Sequence, residues 1–282
     1  DLYQRLLIAG PDDQAIALWL HGKSRHSRRA YASDISRFRQ FVNKPLPAAT
    51  LRDLQAFADS LAGLAPASRN RTLSAVKSLL TACHKIGYAP FNVGAALTLR
   101  RPKNTLAERI LSRESVIKLF ALEPDPRNQA ILRFLYETGS RVSELCSLRW
   151  RDIEPREAGT AQATIYGKGD RTRVILFSRK LHRLLADLGN DAGQNEPVFP
   201  SKSGKPLDQP AVYRILRKAA LRADIRKPVS PHWLRHACAS HALDAGAPIS
   251  LVKSQLGHAS LETTSVYAHA RPEDGLFRYL GR

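Results

Sequence analysis

Three short stretches of the 282-residue sequence carry side chains suited to chemistry on a phosphodiester. The first is Glu137-Thr138-Gly139-Ser140-Arg141-Val142-Ser143-Glu144-Leu145, in which a glycine turn presents Arg141 at the start of a helix. Glu144 follows one turn later, where an acid steadies the helix start or pairs with a cation. The second is Ser230-Pro231-His232-Trp233-Leu234-Arg235-His236. Ser230 caps a helix, Pro231 fits its first turn, and His232 and Arg235, three apart, share one face. The third is Leu256-Gly257-His258, followed by Thr263-Thr264-Ser265-Val266-Tyr267-Ala268-His269. Ile249, Val252 and Leu256 stripe a helix that Gly257 stops, so His258 sits in a turn and Tyr267 in the next helix. Each stretch alone also has a plain structural reading: a surface arginine, a core histidine, a packed tyrosine.

Together they fit one reaction. A phosphodiester passing to a pentacovalent state develops charge on two non-bridging oxygens. The planar guanidinium fork of arginine matches that pair and stays charged. Two arginines and two histidines can surround it with donors. A phenol that loses its proton can attack phosphorus and form a phosphotyrosine. The departing 5′-oxygen needs a proton, which a lysine at a hairpin tip can give. The sequence supplies Arg141, Lys168, His232, Arg235, His258 and Tyr267 in that order. It has no Gly-x-x-x-x-Gly-Lys loop for ATP and no acidic cluster for magnesium. The expectation is transesterification with no cofactor and no metal.

Residues 1–98 read as a helical domain. Tyr31, Ile35, Phe38 and Val42 recur at steps of three and four within residues 27–42. Residues 13–20, 51–61 and 69–86 carry further helical pattern, Pro66 marks a start and Gly87 a stop, which predicts a bundle of about four helices. Residues 99–110 begin Leu-Arg-Arg-Pro-Lys-Asn, and a proline among cations breaks the helix and extends the chain. This linker reads either as a solvated loop or as a crossing over a phosphate backbone. Residues 111–282 form the second domain, helical from a Ser112 cap onward. Its period changes to two at residues 163–166 and 172–177, joined by the turn Gly167-Lys168-Gly169-Asp170, with a further short strand expected near residues 150–153. The fold class is mainly α with a small β-hairpin or sheet.

Composition limits the partners. Lys plus Arg total 44 against 25 Asp plus Glu, a formal charge of +19 and a pI near 10.3. Such an excess calls for a polyanion, nucleic acid first and an anionic membrane surface second. No apolar run nears the roughly 20 residues of a spanning helix, and Asp1-Leu2-Tyr3-Gln4-Arg5 opens no signal-like segment. The three cysteines, Cys83, Cys146 and Cys238, form no Cys-x-x-Cys pair and read as small buried hydrophobes in a reducing cytosol. A zinc reading of His232, His236, Cys238 and His241 lacks the general-base glutamate of His-Glu-x-x-His enzymes, since position 233 is Trp.

The four pieces Thr138–Leu145, Gly167-Lys168-Gly169, Pro231–His236 and Leu256 through Tyr267 strongly resemble the tyrosine recombinase (phage integrase) family, its Xer-type members most closely. The resemblance spans nearly the whole chain and implies a helical, SAM-like core-binding domain before a catalytic one. It implies that Tyr267 is the nucleophile joining the 3′-phosphate and that Arg141 and Arg235 clamp the scissile phosphate. Lys168 would be the general acid, His232 the proton acceptor or phosphate donor, His258 a supporting donor, and Glu144 an acid ordering the site. Trp233 stands where a smaller or charged residue would be expected.

By the same resemblance the partners are double-stranded DNA carrying a specific site and a homo-tetramer, or a hetero-tetramer with a second recombinase, on two duplexes passing through a Holliday junction. The protein would work in the prokaryotic cytoplasm, on the nucleoid. A C-shaped clamp would place Arg28, Arg29, Arg37, Arg69 and Arg71 on one side of the duplex, Arg100, Arg101 and Lys103 along the linker, and Arg214, Arg217 and Lys218 on the other side. Leu276, Phe277, Tyr279 and Leu280 form an apolar tail that either folds back or docks on a neighbouring subunit. Rival readings are a mobile-element or phage integrase of the same chemistry, a type IB topoisomerase-like enzyme that relaxes one duplex, and a DNA-binding protein without catalysis.

Overall fold

A computed structural model describes residues 10–99, 106–167, 172–189, 192–257, 264, 265 and 267. The expectations placed on Arg100, Arg101, Lys103, Lys168, His258 and the 276–280 tail lie outside these residues. The chain divides into two compact units, Asp1–Lys103 and Asn104–Arg282.

In the first unit the described helices are α1 (Pro11–Leu20), α2 (Arg25–Val42), α3 (Leu51–Ser60) and α4 (Pro66–Lys85). Their ends follow local chemistry. Ser24 Oγ accepts the Ser27 N–H at α2, Thr50 and Asp53 cap α3 reciprocally, and prolines open α1 and α4. Of the expected α2 stripe, Ile35 and Phe38 are buried, while Tyr31 and Val42 pack at its edge. They meet Leu54, Phe57, Val76, Leu79 and Leu80 in one core. The carboxylate of Asp34, buried beside this core, accepts both forks of Arg71 at 2.9 Å and the Thr72 hydroxyl at 2.8 Å.

The second unit begins with the turn Ala107–Arg109 and buried Ile110, so it takes in residues that the sequence reading assigns to the linker. Then come α5 (Arg113–Ala121), α6 (Pro126–Thr138), α7 (Val142–Ser147), β1 (Ile153–Pro155), β2 (Ala161–Tyr166), β3 (Thr172–Phe177), α8 (Arg179–Gly189), α9 (Gln209–Arg222), α10 (Pro231–Asp244) and α11 (Ile249–Leu256). The sheet is antiparallel in the order β1-β2-β3, with Ala163 opposite Ile153 and Ile175. The strand expected near residues 150–153 starts later. Asp152 accepts the Arg149 N–H at 2.9 Å and folds Trp150–Asp152 into a 3₁₀ turn, so pairing begins at Ile153.

Helix α6 is the spine of this unit: Ile131, Leu132, Phe134 and Leu135 are fully buried, and Phe134 meets Phe177 and Phe199 edge-on. Packing this helix against both the hairpin and α10 is what brings the distant motifs together. Cys83 is buried as expected, but Cys146 and Cys238 are only half-buried. Desolvation still raises all three thiols, to about 11, 11 and 12, which keeps them protonated and unreactive.

Candidate active site

Helix α6 ends where Gly139 turns left-handed at φ +60°. A β-carbon there would lie 2.5 Å from Leu256 Cδ2, so the position requires glycine on two counts. Two residues on, Arg141 opens α7. Its N–H donates to Glu144 Oε2 at 2.8 Å and its Nη1 to Oε1 at 3.0 Å. Glu144 is buried, whereas 39% of the Arg141 side chain is open to solvent.

Arg235 comes from α10 and is 4% exposed. Its Nη1 donates to the Gly139 carbonyl at 2.5 Å and its Nη2 to the Leu256 carbonyl at 2.7 Å, tying the ends of α6 and α11 together. Burial, then the charge of Arg141, lowers the Arg235 guanidinium to about 10; Glu144 and Tyr267 act in the opposite sense. It remains a cation at neutral pH, within the field of a second one. His232, on the same face of α10, is held below its usual value by partial desolvation, then by Arg235 and Arg141. It is therefore neutral near pH 7 and able to take a proton.

Tyr267 is 5% exposed and packs with Ala239, Val252 and Leu256. Its hydroxyl shares a 2.9 Å hydrogen bond with His236 Nδ1. Burial raises the phenol, Arg235 lowers it and Cys238 raises it; the net shift is upward. At neutral pH it is protonated, so attack requires a base. The rings of His232 and His236 lie 6.3 Å apart, in a file that leads from the open face to the phenol.

Arg141, His232, Arg235 and Tyr267 thus share one electrostatic neighbourhood. Two participants carry no catalytic role in the sequence analysis, where His236 enters only through the zinc alternative and Arg173 not at all. His236 follows His232 by four residues, a spacing that could have flagged it. Arg173, on β3, donates to Glu144 Oε1 at 3.0 Å and Oε2 at 2.7 Å; an arginine in an alternating strand gives no local sign of such a partner. Trp233 is half-buried and packs on the main core. His241, from the zinc reading, instead pairs with the Tyr136 hydroxyl at 2.9 Å, and no three His, Cys, Asp or Glu side chains gather as a metal site among the described residues.

Of the basic residues, Arg28, Arg29 and Arg37 are exposed on α2, and Arg214, Arg217 and Lys218 on α9. Arg69 gives an N–H to the Ala58 carbonyl at 2.8 Å, and Arg71 is committed to Asp34; both carry internal bonds.

A helical unit and a second unit that gathers two arginines, two histidines and a tyrosine define a class, and the chain belongs to the phage integrase family. Residues 111–274 match the phage integrase family model and residues 16–84 its N-terminal SAM-like domain. Within it, the chain is similar to tyrosine recombinase XerC of Xylella fastidiosa (strain M23), 32% identical over 274 residues covering 93% of this chain and 90% of that one. It is 30% identical to tyrosine recombinase XerC of Mycobacterium bovis (strain BCG / Pasteur 1173P2), over 91% of this chain and 92% of the relative. Among solved structures, XerA recombinase matches at 26% identity and a TM-score of 0.53, covering 99% of this chain and 97% of that one. A lambda integrase dimer bound to a COC′ core site shares the fold, with a TM-score of 0.76 at 20% identity, 94% of this chain and 95% of the other being covered.

Proposed function

We propose that this chain is a Xer-like site-specific DNA recombinase, a strand transferase that cuts and rejoins DNA through a covalent 3′-phosphotyrosine. One observation carries the reading: buried Arg235 bonds the Gly139 carbonyl, two residues before Arg141, and the carbonyl of Leu256, which packs in one cluster with Tyr267, so three distant motifs meet at one guanidinium. Like charges are placed side by side where an anion is to be bound. The two forks grip the non-bridging oxygens. The Tyr267 proton passes to a neutral imidazole, the phenolic oxygen bonds to phosphorus, and the bond to the 5′-oxygen breaks. Lys168, by its family position, protonates that oxygen. Attack of a 5′-hydroxyl on the phosphotyrosine runs the step backwards and reseals the strand, so bond energy is conserved.

The finer reading is a tetramer exchanging strands between two duplexes through a Holliday junction. It is supported by a lambda integrase tetramer bound to a Holliday junction, which shares the fold with a TM-score of 0.75 at 18% identity. A role in chromosome segregation, in the cytoplasm, belongs to the same proposal. Among the described residues no helix is long and apolar enough to cross a membrane. The core-binding and catalytic domains would clamp the duplex, with the tail docking on a neighbouring subunit. Recovering the DNA that the chain covalently captures, and mapping the cut, tests the whole reading: one recurring sequence supports it, and random breaks overturn it.

Three expected outcomes arise from the site. First, the acidic limb of kcat/KM for cleavage is centred below 6.5, the ordinary histidine value. The reason is that desolvation and two cations disfavour the His232 imidazolium, which shifts the acidic limb down from the ordinary histidine value. A limb centred above 6.5 removes His232 from the role of base. Second, Lys168→Ala cleaves an ordinary substrate slowly but regains speed on a 5′-bridging phosphorothiolate, whose sulfur leaves without a proton; equal defects on both substrates argue against a proton donor. Third, DNA affinity drops by about three to five decades between roughly 50 and 200 mM salt if six to ten phosphates are gripped. Neutralising Arg214, Arg217 and Lys218 together flattens that slope, and an unchanged slope in a filter-binding titration takes α9 off the DNA.

A further inference from the structure

We propose that Arg173 is a positioning residue for strand transfer: it shares the Glu144 carboxylate with Arg141, leaving Arg141 both aimed at the scissile phosphate and electrically available to it. This rests on the reading of the site given above, but it is carried by separate bonds.

Glu144 faces two guanidiniums, so one unit of positive charge remains after internal pairing. The two arginines divide the work unequally. Arg173 is 12% exposed and grips both carboxylate oxygens, while the more open Arg141 gives Glu144 one guanidinium N–H and its backbone N–H. Most of the Arg141 fork is therefore left for a ligand on the open side. Burial alone would raise the Glu144 carboxyl, but the bonds from Arg173, then from the Arg141 backbone, reverse this and keep it ionised.

Arg173 also reaches a third element. Its Nε donates to the Gln255 carbonyl at 2.8 Å, near the end of α11. Gly257, left-handed at φ +66°, makes room: a β-carbon there would stand 3.2 Å from Arg173 Nη1. One side chain on β3 thus fixes the hairpin, the start of α7 and the turn after α11 to a single carboxylate. Without it Glu144 would face Arg141 alone. The pair would close into a neutral couple, and the phosphate would have to compete for the fork.

The test is a double-mutant cycle on the full chain, read by single-turnover cleavage of a nicked suicide duplex and by NMR titration with inorganic sulfate. Arg173→Gln should slow cleavage by about 10²-fold, with affinity for uncleaved DNA unchanged, and should weaken sulfate binding. Adding Glu144→Gln should recover part of both losses, because a neutral amide no longer holds Arg141. Arg173→Lys, which keeps the cation, should fall between Arg173→Gln and wild type. A purely structural role predicts no recovery: the double variant would be no better than Arg173→Gln. Wild-type rate and sulfate affinity in Arg173→Gln, or no recovery in either measurement in the double variant, overturns the proposal. If the wild-type chain forms no adduct, the recombinase reading fails, while the ranking of sulfate affinities still decides for or against Arg173.

Discussion

Tyr267→Phe binds its DNA site with wild-type affinity and forms no covalent adduct. The substitution removes one oxygen from a side chain that is 5% exposed and leaves its packing on Ala239, Val252 and Leu256 in place. What is lost inside the protein is the 2.9 Å bond to His236 Nδ1, worth about 0.5–1.5 kcal/mol. A chain of two compact units tolerates that, so the variant folds. Chemically the loss is complete, because in the proposed reaction the phenolic oxygen is the atom that becomes bonded to phosphorus. A duplex nicked beside the cut site lets the short fragment with the freed 5′-hydroxyl diffuse away and traps the adduct for a denaturing gel. Wild type gives a shifted band and Tyr267→Phe gives none; a shifted band from the variant moves the nucleophile elsewhere in the chain.

Arg235→Ala slows cleavage by several decades for two separable reasons. The first is charge. Removing one preorganised donor from the path of a developing anion costs about 10²–10³ in rate, and here a full cation goes with it. The second is structural. Arg235 satisfies the carbonyls of Gly139 and Leu256, at 2.5 and 2.7 Å. Stranding them costs about 1–3 kcal/mol apiece, so the variant also melts earlier. Arg235→Lys separates the two effects, since it keeps the charge but reaches only one carbonyl at a time; its cleavage falls between those of wild type and Ala. A folded Arg235→Ala protein that cuts at close to the wild-type rate would mean that the phosphate lies elsewhere.

Local chemistry was readable in advance where it stayed local. The α2 stripe, the Ser112 cap, the Gly139 stop and the two longer strands are written within a few residues of where they act. The family was readable because its motifs keep their order and spacing along the chain. Pairings across the chain were not. Nothing near Arg173 announces a carboxylate 29 residues earlier, and nothing near Arg71 announces Asp34, so a cation that reads as a DNA contact carries an internal bond. The hydrogen-bond partner of Tyr267 was hidden for the same reason. Sequence spacing puts His232 and His236 on one helix face, but only the packing of α10 decides which of them meets the phenol. The strand near residue 150 shifted because one carboxylate, Asp152, won the backbone N–H of Arg149 for a turn.

Gly139 ends a helix, gives its carbonyl to Arg235 and lies against Leu256. Three segments far apart in sequence are therefore registered to one backbone unit, and none can loosen while the others hold. Heat should not spoil the proposed phosphate grip piecemeal. Inactivation on warming should follow the cooperative melting of the second unit, with no earlier, cooler stage in which an intact fold has lost its catalytic competence.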